Sequence, residues 1–166
     1  MARLKQTYQS QGFYGMGIYY SSGEFNIGTL WRSAFILGAS YIYTIGRAYK
    51  RQTSDVTNSW SRIPLYHYSD FDHFRESIPF STQLIGVELC ENATPLEQFE
   101  HPKRASYLLG SESTGLPQEI LQHCQSVISL PGNFSLNVAV AGSIIAHDRV
   151  IKNGATLPER GQPIDS

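Results

Sequence analysis

Apolar and polar positions along the chain follow two periods in turn. Short aromatic or β-branched runs are succeeded by stretches in which apolar residues recur every three or four positions. Phe13 to Ser21 predicts a first strand, weakened by Gly15 and Gly17. Ile27, Leu30, Trp31, Ala34 and Leu37 then fall on one face of a helix that Asn26 caps and Gly38 ends. Arg32 lies off that stripe, and because helical side chains lean toward the N-terminus its arm can reach back toward the Asn26 end. Tyr41 to Ile45 predicts a second strand, and the polar segment Arg47 to Arg62 an exposed loop or short broken helix. Leu65 to Tyr68 predicts a third strand, after which Asp70 caps the pattern Phe71, Phe74, Ile78. Leu84 to Leu89 predicts a buried fourth strand, and Pro95 to Phe99 a short helix.

In the second half, Tyr107-Leu108-Leu109 runs into the turn Gly110-Ser111-Glu112-Ser113-Thr114-Gly115-Leu116-Pro117, with Pro117 at the first position of a helix carrying Ile120 and Leu121. Val127-Ile128-Ser129-Leu130 ends at Pro131-Gly132. From about Ser135 a last helix carries Leu136, Val138, Val140, Ile144 and Ile145 on nearly all sides. Such a helix is buried all round or shared with a partner chain. Ala139, Gly142 and Ala146 form a small-residue stripe on it that lets another helix approach. Residues 153–166, with Pro158, Gly161 and Pro163, read as a frayed tail. Strands alternating with helices predict an α/β fold, a mostly parallel sheet flanked by helices. Its ligand loops gather at the carboxyl ends of the strands, where both apolar runs turn into helices.

Composition changes this picture little. At 166 residues, 41% hydrophobic and 16% charged, with no low-complexity tract, the chain reads as a single domain over residues 1–166. The first residues lack the apolar core of a signal peptide, and no run nears the ~18 apolar residues of a membrane span. Two cysteines, Cys90 and Cys124, suit a reducing compartment and hence the cytoplasm. Five scattered histidines show no zinc spacing, so no metal site is expected. A net charge of −1 neither demands nor excludes a nucleic-acid partner; Arg47, Lys50 and Arg51 form the densest basic patch.

Three constellations carry candidate chemistry. Asn26-x-Gly28-x-x-x-Arg32 can be a helix cap, a tight turn and a surface arginine. Gly110-x-Glu112-x-x-Gly115-Leu116-Pro117 can be a glycine turn before a proline-started helix; no Gly-Lys-Ser/Thr follows, which excludes a Walker-type phosphate loop. Ser135-Leu136-Asn137-Val138-Ala139 reads as a serine cap on an apolar helix, which leaves an asparagine one turn inside it needing partners. No G-x-G-x-x-G follows the first strand, so a dinucleotide-binding oxidoreductase is not supported.

In this order and at these spacings the three resemble the motifs of the SpoU-type ribose methyltransferases of the SPOUT superfamily, over about Phe13 to Arg149. The matching residues are Asn26, Gly28 and Arg32; then Leu109-Gly110-Ser111-Glu112 with Gly115-Leu116; then Leu130-Pro131 with Ser135-Leu136-Asn137-Val138-Ala139. One departure is the short segment Gly132-Asn133-Phe134 between Pro131 and Ser135, where many members carry a longer loop that wraps the cofactor.

The resemblance implies a C-terminal deep trefoil knot, the SPOUT α/β knot, over about residues 84–151. It implies S-adenosylmethionine held by Val87, by Leu109 and Gly110, and by Leu130 with Leu136. It implies a homodimer whose active sites are each built from both chains. Arg32 would activate a ribose 2′-hydroxyl, with Asn26, Glu112, Ser135 and Asn137 positioning it. RNA is then the substrate, tRNA first and rRNA second. The alternative is a catalytically silent knotted dimer that binds RNA.

Overall fold

The computed structural model describes residues 12–20, 24–47 and 63–154. Among the described residues, seven strands form one sheet: β1 (Phe13–Tyr19), β2 (Tyr41–Ile45), β3 (Leu65–Tyr68), β4 (Gln83–Val87), β5 (Thr94–Pro95), β6 (Arg104–Leu109) and β7 (Ser126–Ser129). Their order across the sheet is β3-β2-β1-β6-β4-β7-β5, and every pairing is parallel. The α-helices among the described residues are α1 (Glu24–Ile36), α2 (Phe71–Ser77) and α3 (Gln118–Leu121), which lie between strands, and α4 (Val138–Lys152), which follows β7.

The period-2 alternation of the strands sorts their side chains onto two faces. Tyr14, Met16 and Ile18 of β1, with Ala105, Tyr107 and Leu109 of β6, meet Leu30, Trp31 and Ala34 of α1 and Val138, Ala139 and Ile145 of α4. On the other face Tyr41, Tyr43 and Leu108 meet Phe74 of α2 and Ile120 of α3. Gly15 and Gly17, which weaken β1 as an isolated strand, have a use in the sheet. They pair with Tyr41 and Tyr43 of β2, whose rings lie so close that a Cβ on either glycine would sit 2.2 or 2.1 Å from a ring carbon.

Several boundaries differ from the sequence reading. β1 stops at Tyr19, before Tyr20 with its φ of 48°, rather than at Ser21. α1 begins at Glu24, so Asn26 lies inside its first turn and is not the cap. β4 ends at Val87 rather than Leu89. The helix expected over Pro95 to Phe99 is a two-residue edge strand followed by a 3₁₀ turn at Leu96–Gln98, too short for α-helical bonding. Pro117 is the N-cap of α3 rather than its first residue. α4 begins at Val138 rather than near Ser135, with Asn137 as its N-cap. Asp70 caps α2 as expected, its carboxylate accepting from His73 N–H at 2.9 Å. Beyond Arg47, the polar segment lies outside the described residues, and so does the tail beyond Gly154.

The small-residue stripe of α4 also finds a different partner. Ala139 and Ala146 are buried, and Gly142 faces Leu30 of α1, whose Cδ1 lies 2.4 Å from where a Cβ would stand. The close approach is therefore made within the chain, by α1. What α4 turns outward is Val140, Ile144 and Ile151, at 47%, 39% and 66% exposure.

Candidate functional site

The carboxyl ends of β4, β6 and β7 lie side by side, and the loops leaving them enclose a cleft of about 270 Å³. Its apolar lining includes Val87, Leu109, Leu130, Leu136, Val138 and Ala141, and its polar lining Glu88, Ser111, Glu112, Thr114 and Ser135. All five residues expected to hold a cofactor, Val87, Leu109, Gly110, Leu130 and Leu136, line this one cleft.

The turn after β6 is built around its two glycines. Ser111 and Gly115 form an antiparallel bridge, with Gly115 N–H donating to the Ser111 carbonyl at 2.9 Å. Gly115 has φ +64°, a region that costs a residue with a Cβ energy. A Cβ there would also stand 2.4 Å from Glu88 Oε2, and one on Gly110 would stand 2.3 Å from the Gly115 carbonyl carbon. Within the turn, Ser111 Oγ lies 2.7 Å from Thr114 Oγ1. Glu88, at the end of β4, clamps the turn: its Oε2 accepts from Leu116 N–H at 2.7 Å and its Oε1 from Leu89 N–H at 3.0 Å. Sequence reasoning passed over Glu88, although an acidic residue directly after an apolar strand is the signal that could have found it.

The three motifs converge at the edge of this cleft. Asn137 Nδ2 donates to Glu112 Oε1 at 2.8 Å and to Asn26 Oδ1 at 2.9 Å. Asn26 Nδ2 donates to the same Glu112 Oε1 at 3.0 Å. Asn137 Oδ1 meanwhile accepts from Ala139 N–H at 3.0 Å and Val140 N–H at 3.3 Å, capping α4. Both hydrogens and both lone pairs of that amide are thus in use, which defines its orientation. The partners expected for Asn137 exist, but it meets them from the helix cap and not from a buried turn. Glu112 is fixed through one oxygen, which leaves Oε2 able to accept a further donor. Its negative charge lies at the amino end of α4, where the helix dipole favours it.

The remaining candidates are placed differently. Ser135 lines the cleft but is not the helix cap. Arg32 is exposed on α1 and does not line the cleft, and among the described residues it makes no hydrogen bond or ion pair. It follows Asn26 by six residues, about 240° around a helix with 3.6 residues per turn, so the two point from different faces. Its arm does not join the Asn26 network of its own chain. Arg47, the described member of the basic patch, is exposed.

A cleft with an apolar floor, two glycine-shaped turns and a carboxylate held by two amides can bind an elongated, partly apolar ligand and orient a hydroxyl or amine donor beside it. Known proteins resemble this chain in sequence and in fold. A tRNA (guanosine(18)-2′-O)-methyltransferase of Escherichia coli is 25% identical over 153 residues, covering 82% of this chain and 66% of its own length. The chain therefore spans just under two thirds of that relative. The TrmH/SpoU tRNA modifying enzyme of A. aeolicus shares the fold with a TM-score of 0.77 at 20% identity, over 92% of this chain and 83% of its own. The SpoU methyltransferase AviRb of Streptomyces viridochromogenes, solved with AdoMet, does so with a TM-score of 0.76 at 23% identity, over 87% of this chain and 58% of its own. Residues 19–147 match the SpoU rRNA Methylase family, and to that family the chain belongs.

Proposed function

We propose that this chain is an S-adenosylmethionine-dependent RNA ribose 2′-O-methyltransferase acting on tRNA. The observation that carries the proposal is the convergence of Asn26, Glu112 and Asn137, one from each motif, beside a cleft lined by all five expected cofactor residues. The names of the relatives support both the cofactor and the substrate class.

The lining suits such a cofactor. Leu109, Val138 and Ala141 offer an apolar bed, and the backbone of the Gly110 and Leu130 turns offers donors and acceptors. When bound, S-adenosylmethionine supplies an activated methyl group and a good leaving group. The protein's share is then orientation and proton removal. The Asn26–Glu112–Asn137 network holds the ribose in place, and Ser135 lies beside it. Arg32 grips the substrate phosphate with its planar guanidinium fork and polarises the 2′-hydroxyl. The proton passes to that phosphate or to water as the methyl group arrives.

Arg32 faces away from its own chain's network, so the same proposal includes a homodimer in which each cleft takes Arg32 from the partner chain. The outward stripe Val140, Ile144 and Ile151 supports such an interface. The proposal further includes a trefoil knot within residues 84–151. Sheet order supports it: β6 inserts between β1 and β4, and the chain passes from β7, beyond β4, back to pack α4 against α1. With its two free thiols, the protein is assigned by the same reading to the cytoplasm.

Single-turnover transfer from labelled S-adenosylmethionine to bulk tRNA tests the activity. Arg32→Lys should lower the rate by several orders of magnitude while binding of S-adenosylhomocysteine is unchanged. A rate above about a tenth of wild type, a barrier change under ~1.4 kcal/mol, would remove Arg32 from the catalytic role. Transfer to rRNA fragments but not to tRNA would move the substrate assignment to rRNA.

A further inference from the structure

Phe134 is 86% exposed, and it lines the mouth of the cleft. Exposing a large apolar ring to water is unfavourable, and a ring held that way at a cleft is accounted for when the occupant covers it. The connection that carries it is short: Gly132, Asn133 and Phe134 join Pro131 to Ser135. Three residues reach at most about 10 Å fully extended, too little to fold over the cleft as a lid. Gly132 has φ +127°, which turns the chain sharply just after Pro131, and Asn137 anchors the far end as the cap of α4. The ring is therefore tethered at the rim of the cleft that Glu112 also lines, three residues before Asn137. The apolar floor of the cleft, by contrast, is made of nearly buried side chains: Leu109 at 2% exposure, Val138 at 6% and Ala141 at 6%.

We propose that Phe134 is the stacking platform for the nucleobase whose ribose is methylated. The inference rests on the function proposed above and adds a residue that recognises the substrate. In a nucleotide the base is attached at C1′, next to the carbon that bears the 2′-hydroxyl. A ribose placed at the network therefore brings its base to the rim, on the solvent side, where Phe134 stands. Stacking on a flat ring is tolerant of base identity, because every base has a π-face. This contact thus sets affinity and placement without dictating which nucleotide is chosen.

Four variants test the proposal: Phe134→Ala, Phe134→Leu, Phe134→Tyr and Phe134→Trp. Stacking predicts that Ala and Leu each lower kcat/KM for bulk tRNA roughly 5- to 150-fold, the range of one base–aromatic contact. Tyr and Trp should stay within about threefold of wild type. All four should bind S-adenosylhomocysteine within about twofold of wild type, since the ring belongs to the substrate side. In the Phe134→Trp variant, bulk tRNA should quench the emission that the new indole adds to that of Trp31 and Trp60, measured as the difference from wild type, and this readout does not depend on catalysis. Full activity in Phe134→Leu would overturn the proposal by reducing the ring to apolar surface. A loss of cofactor affinity larger than the loss for tRNA would also overturn it, because the ring would then cover the adenine. Emission quenched no more in Phe134→Trp than in wild type at saturating tRNA would do the same. If the Phe134→Trp variant bound tRNA and was quenched while neither it nor wild type transferred a methyl group, the proposed reaction would fail while the stacking contact stood.

Discussion

Asn137 does two jobs with one amide, and they can be separated chemically. Its oxygen caps α4 and its nitrogen tethers Glu112 and Asn26. Asn137→Asp keeps a cap acceptor and adds a charge that the helix dipole favours, so α4 should remain as stable as in wild type. The same change replaces two donors by acceptors and sets a carboxylate against Glu112. Methyl transfer should fall at least 100-fold, with the melting temperature within a few degrees of wild type. Asn137→Ala, in contrast, should lose both, with about 0.5–2 kcal/mol of stability gone with the cap. Thermal melts beside single-turnover assays check the pair; an active Asn137→Asp enzyme would mean the network is scaffolding only.

At the scale of elements, β1 and β2 fit because glycine faces tyrosine. Tyr43 is 1% exposed, stacks on Phe74 at 4.6 Å between ring centroids, donates to the Tyr107 carbonyl at 3.0 Å and accepts from Ser106 Oγ at 2.8 Å. Such a ring cannot step aside for a new methyl group. Gly17→Ala should therefore destabilise the protein by about 1–3 kcal/mol through overpacking, read by urea denaturation. Gly142→Ala on α4 crowds the end of the Leu30 side chain and meets Leu109 Cδ1 at an ordinary 3.8 Å, so it should cost less than Gly17→Ala.

A second element contact predicts how stability follows pH. His101, before β6, sits with Nδ1 2.6 Å from the Tyr107 hydroxyl and Nε2 2.8 Å from Asp148 Oδ2 on α4. Asp148 also pairs with Lys152 at 2.9 Å, and Arg149 Nη1 donates to the Tyr107 hydroxyl at 3.1 Å. Burial lowers the His101 pKa below the ordinary 6.5 and outweighs the pull of Asp148. Burial also pushes the Tyr107 hydroxyl up to about 12, so it stays protonated. Below pH 6.5 the unfolded chain takes up the imidazole proton before the folded one does. Stability from this group is thus complete above 6.5 and declines as pH falls toward the lowered value, by at most about 1.4 kcal/mol per pH unit. Denaturation midpoints from pH 8 to 5 should show that slope, and His101→Gln should flatten it. An unchanged slope would mean that His101 is charged in the folded state.

At the scale of the whole molecule, the question is what covers the outer face of α4. Val140, Ile144 and Ile151 recur on the helix and remain exposed in the isolated chain, while the small-residue stripe is already used by α1. The proposed homodimer should therefore depend on the former. Light scattering of wild type should give twice the 18.6 kDa of the chain, and Val140→Glu with Ile144→Glu should give a folded monomer. That monomer should bind S-adenosylhomocysteine yet transfer no methyl group, because Arg32 would be missing from each cleft. Ala139→Glu is not a test of the interface, since Ala139 is 2% exposed within its own chain and a carboxylate there would unfold it.

Alternation of strands and helices, and the residue types of the three motifs, were legible in the sequence because both are local. Periods of 2 and 3.6 and the chemistry of a turn are set within a few residues, and the residues that share the cleft were named from the resemblance that those turns carry. Choices between near-equal local options were not legible. Ser135 and Asn137 are both good caps, and what decides for Asn137 is that its other atoms bond Glu112 and Asn26, the latter 111 residues away. Asn26 read as a cap for the same local reason. The direction of the Ala139, Gly142 and Ala146 stripe, and the use of Gly15 and Gly17 beneath tyrosine rings, were settled by packing. Parallel pairing across distant segments, with β6 between β1 and β4, alone brings these partners together, and no window of sequence contains both sides of such a contact.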